Sequence, residues 1–230
     1  MFTTQSRFRR LPLTVIVIAA LAFAATACAA KTSGPPSSVT AVSPRQSGAF
    51  RGEQLSTPVT INAATQSAVF QESSGGTTSL SQLQSAGLML VYFGYTSCPD
   101  ICPTTMADLG QALRKLPAKI QHETQVVFVT SDPARDTAPV MQAWLEHFDD
   151  GVARPFVGLT ATLTQIDTVA SSLGIPLQPP VTEPDGSISV EHGAQTLAFV
   201  NDKADLMWLA DTSVSDYAHD ITKLSTKLTK

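Results

Sequence analysis

Two cysteines, each followed by a proline, are the residues of this chain best suited to chemistry. They are Cys98 and Cys102, in the stretch FGYTSCPDICPTTMADL (93–109). Their C-x-x-x-C spacing has one residue more than the C-x-x-C of dithiol redox motifs and of most structural zinc sites. The apolar run LMLVYF (88–93) comes just before them and predicts a strand buried on both faces. The pair should therefore lie in the loop after a buried strand.

Pro103 indicates that a helix begins directly after the second cysteine. Proline is favoured as the first residue of a helix and disfavours helical geometry at the residue before it. Apolar residues then recur at helical spacing up to Pro117, namely Met106, Leu109, Leu113 and Leu116. The N–H groups and the dipole at a helix N-terminus stabilise a thiolate, so we expect both cysteines to have low pKa values. We also expect them to be accessible, because ligands of open α/β sheets bind at loops that follow the carboxyl ends of strands.

The first 27 residues predict an export signal. Three arginines precede an apolar run at residues 11–27, and the whole segment contains no acidic residue. The run ends in ATA before Cys28, which resembles the lipobox of bacterial lipoproteins and predicts lipidation of Cys28. Simple cleavage and an uncleaved anchor are the alternatives. All three place the body of the protein outside the cytoplasmic membrane, and with a lipid or an anchor it lies at the extracytoplasmic face of the bacterial cell membrane.

The next segment, residues 28–49, is rich in Ser, Pro, Gly and Thr and predicts a flexible tether. Without the three arginines of residues 1–27, the net charge of the chain is −7 rather than −4. An acidic body argues against nucleic acid as a partner. If Cys28 carries lipid, Cys98 and Cys102 are the two cysteines that remain.

Strands and helices alternate through residues 50–230, which we interpret as one folded domain. Strands are predicted at QVVFVTSD (125–132) and PFVGL (155–159), a hairpin at TLAFV (196–200) and LMWLA (206–210), and one or two short strands at TPVTINAATQSAVF (57–70). Three more sets of apolar residues have helical spacing: Val140, Ala143, Trp144 and Phe148; Leu163, Ile166, Val169 and Leu173; Val214, Tyr217, Ile221 and Leu224. The alternation predicts an α/β domain with a mixed central sheet flanked by helices.

The cysteine stretch resembles the signature of the Sco/SenC proteins, C-x-x-x-C-P after a buried strand. The likeness continues in VFVTSDPARDT (127–137), FVGLT (156–160) and VEHGAQTLAFV (190–200). It implies a thioredoxin-like fold with an N-terminal strand extension. It also implies a copper ion, Cu(I) or Cu(II), held by Cys98, Cys102 and His192. Two thiolates and an imidazole are donors that suit Cu(I).

The implied fold also predicts how distant residues reach the cysteine loop. If TLAFV runs antiparallel to LMLVYF, His192 comes to the edge of the sheet where that loop lies. Asp132 ends a neighbouring strand at the same edge, and we expect it either to orient or charge-balance the copper site or only to cap the strand. An ion pair between Arg135 and Asp136 is expected to fix the turn that follows.

The resemblance implies a copper-binding metallochaperone, a binding protein rather than an enzyme. Its partner would be subunit II of cytochrome c oxidase, which would receive copper at its CuA site, or another copper enzyme. The alternative is a thiol–disulfide oxidoreductase in which Cys98 and Cys102 are catalytic and keep the copper-ligand cysteines of a client reduced. A structural disulfide is a further reading, but a loop this short would stabilise the fold weakly. A peroxiredoxin-like peroxidase fits the motif less well.

Overall fold

An eight-stranded mixed sheet organises the residues that the computed structural model describes, namely 50–85, 87–182, 184, 188–190 and 192–228. The predicted export signal, Cys28 and the predicted tether lie outside these residues. Within the described residues, no helix is both long enough and apolar enough to cross a membrane.

The helices and strands follow the predicted alternation. The strands are β1 Glu53–Thr60, β2 Phe70–Glu72, β3 Thr77–Thr78, β4 Leu88–Gly94, β5 Thr124–Thr130, β6 Val157–Thr160, β7 Val181–Thr182, β8 Ile188–Ser189, β9 Thr196–Val200 and β10 Lys203–Trp208. The helices are α1 Ala63–Ser67, α2 Leu80–Gln84, α3 Ile101–Arg114, α4 Ala118–His122, α5 Ala138–Asp149, α6 Leu163–Ser172 and α7 Val214–Ser225. These elements confirm the α/β class with a mixed central sheet.

The sheet has the order β1-β10-β9-β4-β5-β6-β2-β3, and β7 pairs with β8 apart from it. The strands β4, β5 and β6 are parallel neighbours, whereas β9 runs antiparallel to β4 and β1 runs antiparallel to β10. The predicted hairpin is therefore present, although β10 begins three residues earlier than the apolar run suggests. The strand β1 is the N-terminal strand extension.

The two central strands separate two hydrophobic cores, because successive side chains of a strand point to opposite faces. Leu90 and Tyr92 of β4 belong to the core that also contains buried residues of α3, α5 and α7. Val91 and Phe93 belong to the core on the side of α6. All residues of β4 and β5 are buried, as the unbroken apolar runs predict.

The structure departs from the predicted elements in residues 57–70 and in α5. Residues 57–70 contain not only strand but also the helix α1, whose first turn is capped by the side chain of Asn62. In α5 the buried residues are Ala138, Met141 and Leu145, whereas Val140 is 44% exposed. Since each residue of a helix turns by about 100°, a shift of one position in the apolar series changes which face is buried.

Candidate metal centre

Three segments meet at the edge of the sheet where the parallel strands end. The strands β4 and β5 end side by side at Gly94 and Thr130. The strand β9 begins at the same edge, because its first residue, Thr196, pairs with Tyr92 of β4. The loop after β4 carries the cysteines, the loop after β5 carries Asp132, and the segment before β9 carries His192. The predicted approach of these segments is confirmed.

The side chains of Cys98, Cys102 and His192 form one cluster. Their ligand atoms, the two Sγ atoms and an imidazole nitrogen, all lie within 4.8 Å of one another. The Sγ atom of Cys102 is 3.3 Å from Nε2 of His192. Two sulfurs and one imidazole form a soft donor set, which fits Cu(I) better than the hard cations Mg²⁺ or Ca²⁺.

The helix α3 begins earlier than the sequence predicts. It starts at Ile101, so that Cys102 lies inside the first turn and Pro103 is the third helical residue. Proline is tolerated at this position because the first N–H groups of a helix have no partner within the helix. Cys98 lies outside the helix, in a turn closed by its N–H group, which donates to the carbonyl of Tyr95 at 3.1 Å. The turn thus fixes the backbone at Cys98, and the helix start fixes the backbone at Cys102.

Neither cysteine forms a disulfide and both are buried, with 8% of Cys98 and none of Cys102 exposed. The pKa of Cys98 is lowered to about 3, chiefly because the thiol of Cys102 donates a hydrogen bond to its sulfur. Contacts from His192 and from backbone N–H groups lower the pKa further, against the opposing effect of burial. The pKa of Cys102 is raised, because its proton is held by Cys98 and because the side chain is buried.

The expectation of two accessible cysteines with low pKa values is therefore wrong for Cys102, which is fully buried and has a raised pKa. Cys98 has a lowered pKa and lines an open groove, although only 8% of the residue is exposed. The physical reason is the short distance between the sulfurs. Two adjacent thiolates would repel each other, so one sulfur keeps a proton and shares it with the other.

His192 is held by contacts to the segment that follows α6. It forms a single antiparallel bridge with Leu177, and the N–H group of Gly193 donates to the carbonyl of Pro176 at 2.9 Å. The Nδ1 atom of His192 is 3.3 Å from the carbonyl oxygen of Gly193. A carbonyl oxygen only accepts, so an imidazole protonated at Nδ1 would donate to it and would leave Nε2, the atom beside the sulfur of Cys102, free to bind a metal.

Asp132 reaches the edge of the sheet but contacts neither the sulfurs nor the imidazole. Its buried carboxylate pairs with the guanidinium of Arg135. The guanidinium lies 5.9 Å from the centre of the Tyr95 ring, and that ring meets His192 edge-on at 5.8 Å. Any influence of Asp132 on the site would pass through Arg135 and Tyr95, and its predicted role remains a prediction.

The expected pair between Arg135 and Asp136 does not form, because Arg135 pairs with Asp132 instead. The fully buried carboxylate of Asp136 accepts from the N–H of Thr96 at 2.9 Å, from its hydroxyl at 2.6 Å and from the hydroxyl of Thr130 at 2.7 Å. Asp136 thereby ties the cysteine loop to the end of β5. This role of Asp136 was not predicted, since adjacency along the chain does not show which distant donors a carboxylate meets.

Gly94 is a second residue that the sequence analysis missed. A Cβ atom at this position would lie 2.7 Å from Cε1 of Tyr92 and 2.8 Å from the sulfur of Cys102. Both distances are shorter than an ordinary contact, so only glycine allows Cys102 to lie so close to the strand. A glycine between a buried strand and a cysteine loop is the signal that points to such a close approach.

An open groove of about 500 Å³ lies over the cluster. It is lined by Tyr95, Cys98, Pro99, Asp100, Ile101, Val190 and His192. Cys102 is absent from this lining and is fully buried, so the groove gives access to Cys98 and His192 first. The remaining histidines lie elsewhere: His122 ends α4, His147 is in α5, and His219 of α7 contacts Asp220.

The family assignment follows from a comparison with known protein families. The SCO1/SenC family matches residues 66–226, which include all three residues of the cluster. The chain belongs to the SCO1/SenC family. The resemblance stated from the sequence and the thioredoxin-like fold that it implies are both confirmed.

A curated relative and two solved structures show how far the similarity extends. A protein of Stutzerimonas stutzeri named for copper binding is 39% identical over 103 residues, which are 45% of this chain and 48% of that protein. The match thus spans about half the length of this curated relative. The solution structure of apo Sco1 from Thermus thermophilus is 30% identical with a TM-score of 0.61 and covers 78% of this chain and 97% of that one. The structure of Arabidopsis thaliana ScoI with copper bound is 22% identical with a TM-score of 0.60, and covers 69% of this chain and 96% of that one.

Proposed function

We propose that this chain is a copper-binding metallochaperone at the extracytoplasmic face of the bacterial cell membrane. It delivers copper to the CuA site of cytochrome c oxidase subunit II or to another copper enzyme. The observation that carries the proposal is the cluster of Cys98, Cys102 and His192, whose ligand atoms lie within 4.8 Å of one another. Membership in a family of copper-binding proteins of cytochrome c oxidase assembly supports it.

The three side chains have different tasks in holding the cargo. Cys98 supplies a thiolate at neutral pH, because its pKa is lowered to about 3. Cys102 must lose its proton when copper binds, and that proton goes to solvent. The imidazole of His192 offers Nε2, which lies 3.3 Å from the sulfur of Cys102, while Nδ1 lies on the side of the carbonyl oxygen of Gly193. These donors fit Cu(I), and the same set can hold Cu(II).

Release to a partner would occur through the groove. Thiolates of the partner enter beside Cys98 and His192, the ligands that line the groove, and take over the copper by exchanging one ligand at a time. The predicted lipid on Cys28, or another form of the N-terminal anchor, would hold the domain near a membrane-bound client. The predicted tether at residues 28–49 would set the effective concentration at which the two meet.

Anaerobic titration with Cu(I) against a competing chelator tests the proposal. The reduced protein should bind one copper ion tightly. His192→Ala and Cys98→Ala should each weaken binding by about tenfold or more, because each removes one of three ligands. His122→Ala is the matched control, since this exposed histidine ends α4 away from the cluster. Binding that is indifferent to His192 would contradict the three-ligand site.

A thiol–disulfide oxidoreductase is a second candidate, and the unequal pKa values of the two thiols favour it. The thiolate of Cys98 would attack a client disulfide, forming a mixed disulfide and releasing one client thiolate. Cys102, once deprotonated, would attack Cys98 and release the second client thiolate, which leaves the client reduced and the Cys98–Cys102 pair oxidised. Such exchange does not require an imidazole ligand. If His192→Ala abolishes function in cells while disulfide exchange in vitro survives, copper delivery is favoured over reduction.

A further inference from the structure

Tyr92 places a buried hydroxyl group against the innermost sulfur of the cluster. Its side chain is fully buried near the end of β4, and its Oη atom lies 3.6 Å from Sγ of Cys102. A buried tyrosine hydroxyl usually has a hydrogen-bond partner, and the phenolic O–H donates here while the sulfur accepts. In the sequence, Tyr92 is recognisable only as part of the apolar run of a strand.

The ring of Tyr92 also contacts the imidazole of the cluster. It meets His192 edge-on, with the ring centres 5.9 Å apart and the planes at 81°. On its other side it stacks on Phe128 of β5, with centres 6.2 Å apart. Tyr92 therefore touches two of the three proposed ligands, Cys102 and His192, from inside the protein.

The surroundings leave the hydroxyl little freedom to move away from the sulfur. In the sheet Tyr92 pairs with Phe128 on one side and with Thr196 on the other, so that its backbone is fixed by both neighbouring strands. Gly94 has no side chain to separate Tyr92 from Cys102, and a Cβ there would overlap both residues. The contact is thus part of the close packing at the end of β4.

A hydrogen bond to a copper-bound sulfur changes which oxidation state the site prefers. The sulfur shares electron density with copper, and a donated hydrogen bond keeps part of that density on the sulfur. Cu(II) is stabilised more by electron donation from the sulfur than the electron-rich Cu(I) is, so the hydrogen bond disfavours Cu(II). Hydrogen bonding around a cysteine sulfur is accordingly one of the factors that tune the potential of copper–thiolate sites.

We propose that Tyr92 is a positioning residue that, through its hydrogen bond to Cys102 and its contact with His192, biases the site towards Cu(I). This inference rests on the proposed copper function and deepens it, because it concerns the form in which copper is held. Tyr92 does not bind copper itself. It acts through the sulfur of Cys102.

Tyr92→Phe is the test, because it keeps the ring and removes only the hydroxyl. Tyr217→Phe is the matched control, since it removes a second buried hydroxyl, from a tyrosine of α7 whose ring packs on Trp208. Three quantities are measured for the wild-type protein and both variants: the affinities for Cu(I) and Cu(II), the energy of the sulfur-to-Cu(II) charge-transfer band, and the infrared S–H stretch of the reduced, metal-free protein.

In Tyr92→Phe the ratio of Cu(I) affinity to Cu(II) affinity should fall about fivefold, the equivalent of one hydrogen bond. The charge-transfer band should move to lower energy, and the S–H stretch should shift even without metal. Tyr217→Phe should leave all three unchanged. If the wild-type protein binds copper and Tyr92→Phe matches it in the affinity ratio and the S–H stretch, the inference is overturned while the copper function stands. A wild-type protein that binds no copper overturns both.

Discussion

Replacing Gly94 by alanine should lower the copper affinity of the protein more than the loss in its free energy of unfolding would account for. The added Cβ would lie 2.8 Å from the sulfur of Cys102, and ordinary contacts begin near 3.4 Å. The sulfur must therefore move by about 0.6 Å, or the strand must move away from it by the same amount. The ring of Tyr92 restricts these movements, because its Cε1 atom would also lie only 2.7 Å from the added Cβ.

The size of the two effects follows from this geometry. Overpacking of a buried position costs about 1–3 kcal/mol of the free energy of unfolding. Metal–ligand distances tolerate deviations of only about 0.2 Å. The expected displacement of about 0.6 Å is about three times this tolerance. It should weaken copper binding by about 10- to 100-fold, the loss seen when a residue that orients a metal ligand is mutated.

Gly110→Ala separates the loss of stability from the loss of the site. Gly110 lies in the middle of α3, and a Cβ there would lie 2.2 Å from the carbonyl oxygen of Phe148 in α5. This variant should be destabilised at least as much as Gly94→Ala, while its folded form keeps the copper affinity of the wild-type protein. Denaturant unfolding gives the stability of each variant, and Cu(I) competition at a temperature where both are folded gives the affinity.

The reasoning is refuted if Gly94→Ala binds copper as tightly as the wild-type protein. It is also refuted if Gly110→Ala weakens copper binding to the same extent, because the effect would then come from general destabilisation. A crystal structure of Gly94→Ala with the Cys102 sulfur undisplaced would contradict the mechanism even if the affinity fell.

Three further predictions concern the residues that hold the site and the domain together. Asp136→Asn should lower the free energy of unfolding by about 2–4 kcal/mol, measured by denaturant unfolding, because an amide cannot accept all three hydrogen bonds from Thr96 and Thr130. The rate of alkylation of Cys98, followed by mass spectrometry of its peptide, should stay nearly constant from pH 8 to pH 5. A cysteine with a pKa of about 3 remains a thiolate over this range. A tenfold fall of this rate per pH unit would disprove the lowered pKa. Asp220→Asn should also destabilise the protein by about 2–4 kcal/mol, because the buried carboxylate accepts from the backbone of Arg51 and Gly52 and from the indole of Trp208, yet it should leave copper affinity unchanged.

Local patterns in the sequence predict most of the elements but not all of their boundaries. The apolar runs of β4 and β5 and the helical spacing of α3, α6 and α7 are confirmed, because each depends on residues a few positions apart. The helices α1, α2 and α4 were missed, since five residues are too few to show a helical period. The start of α3 was placed too late because Pro103 is tolerated anywhere in the first turn, not only at its first position.

The sequence by itself determined the order of the elements, the presence of two thiols in the loop after a buried strand, and the family to which the chain belongs. Only the tertiary structure decided how these thiols differ. His192 is 90 residues from Cys102 along the chain and 3.3 Å from it in space. The protonation of each sulfur, the partner of Asp136 and the contact of Tyr92 with Cys102 all depend on distances between residues far apart in the chain. Such distances arise only when β4, β5 and β9 pair, because the register of the sheet brings their ends together.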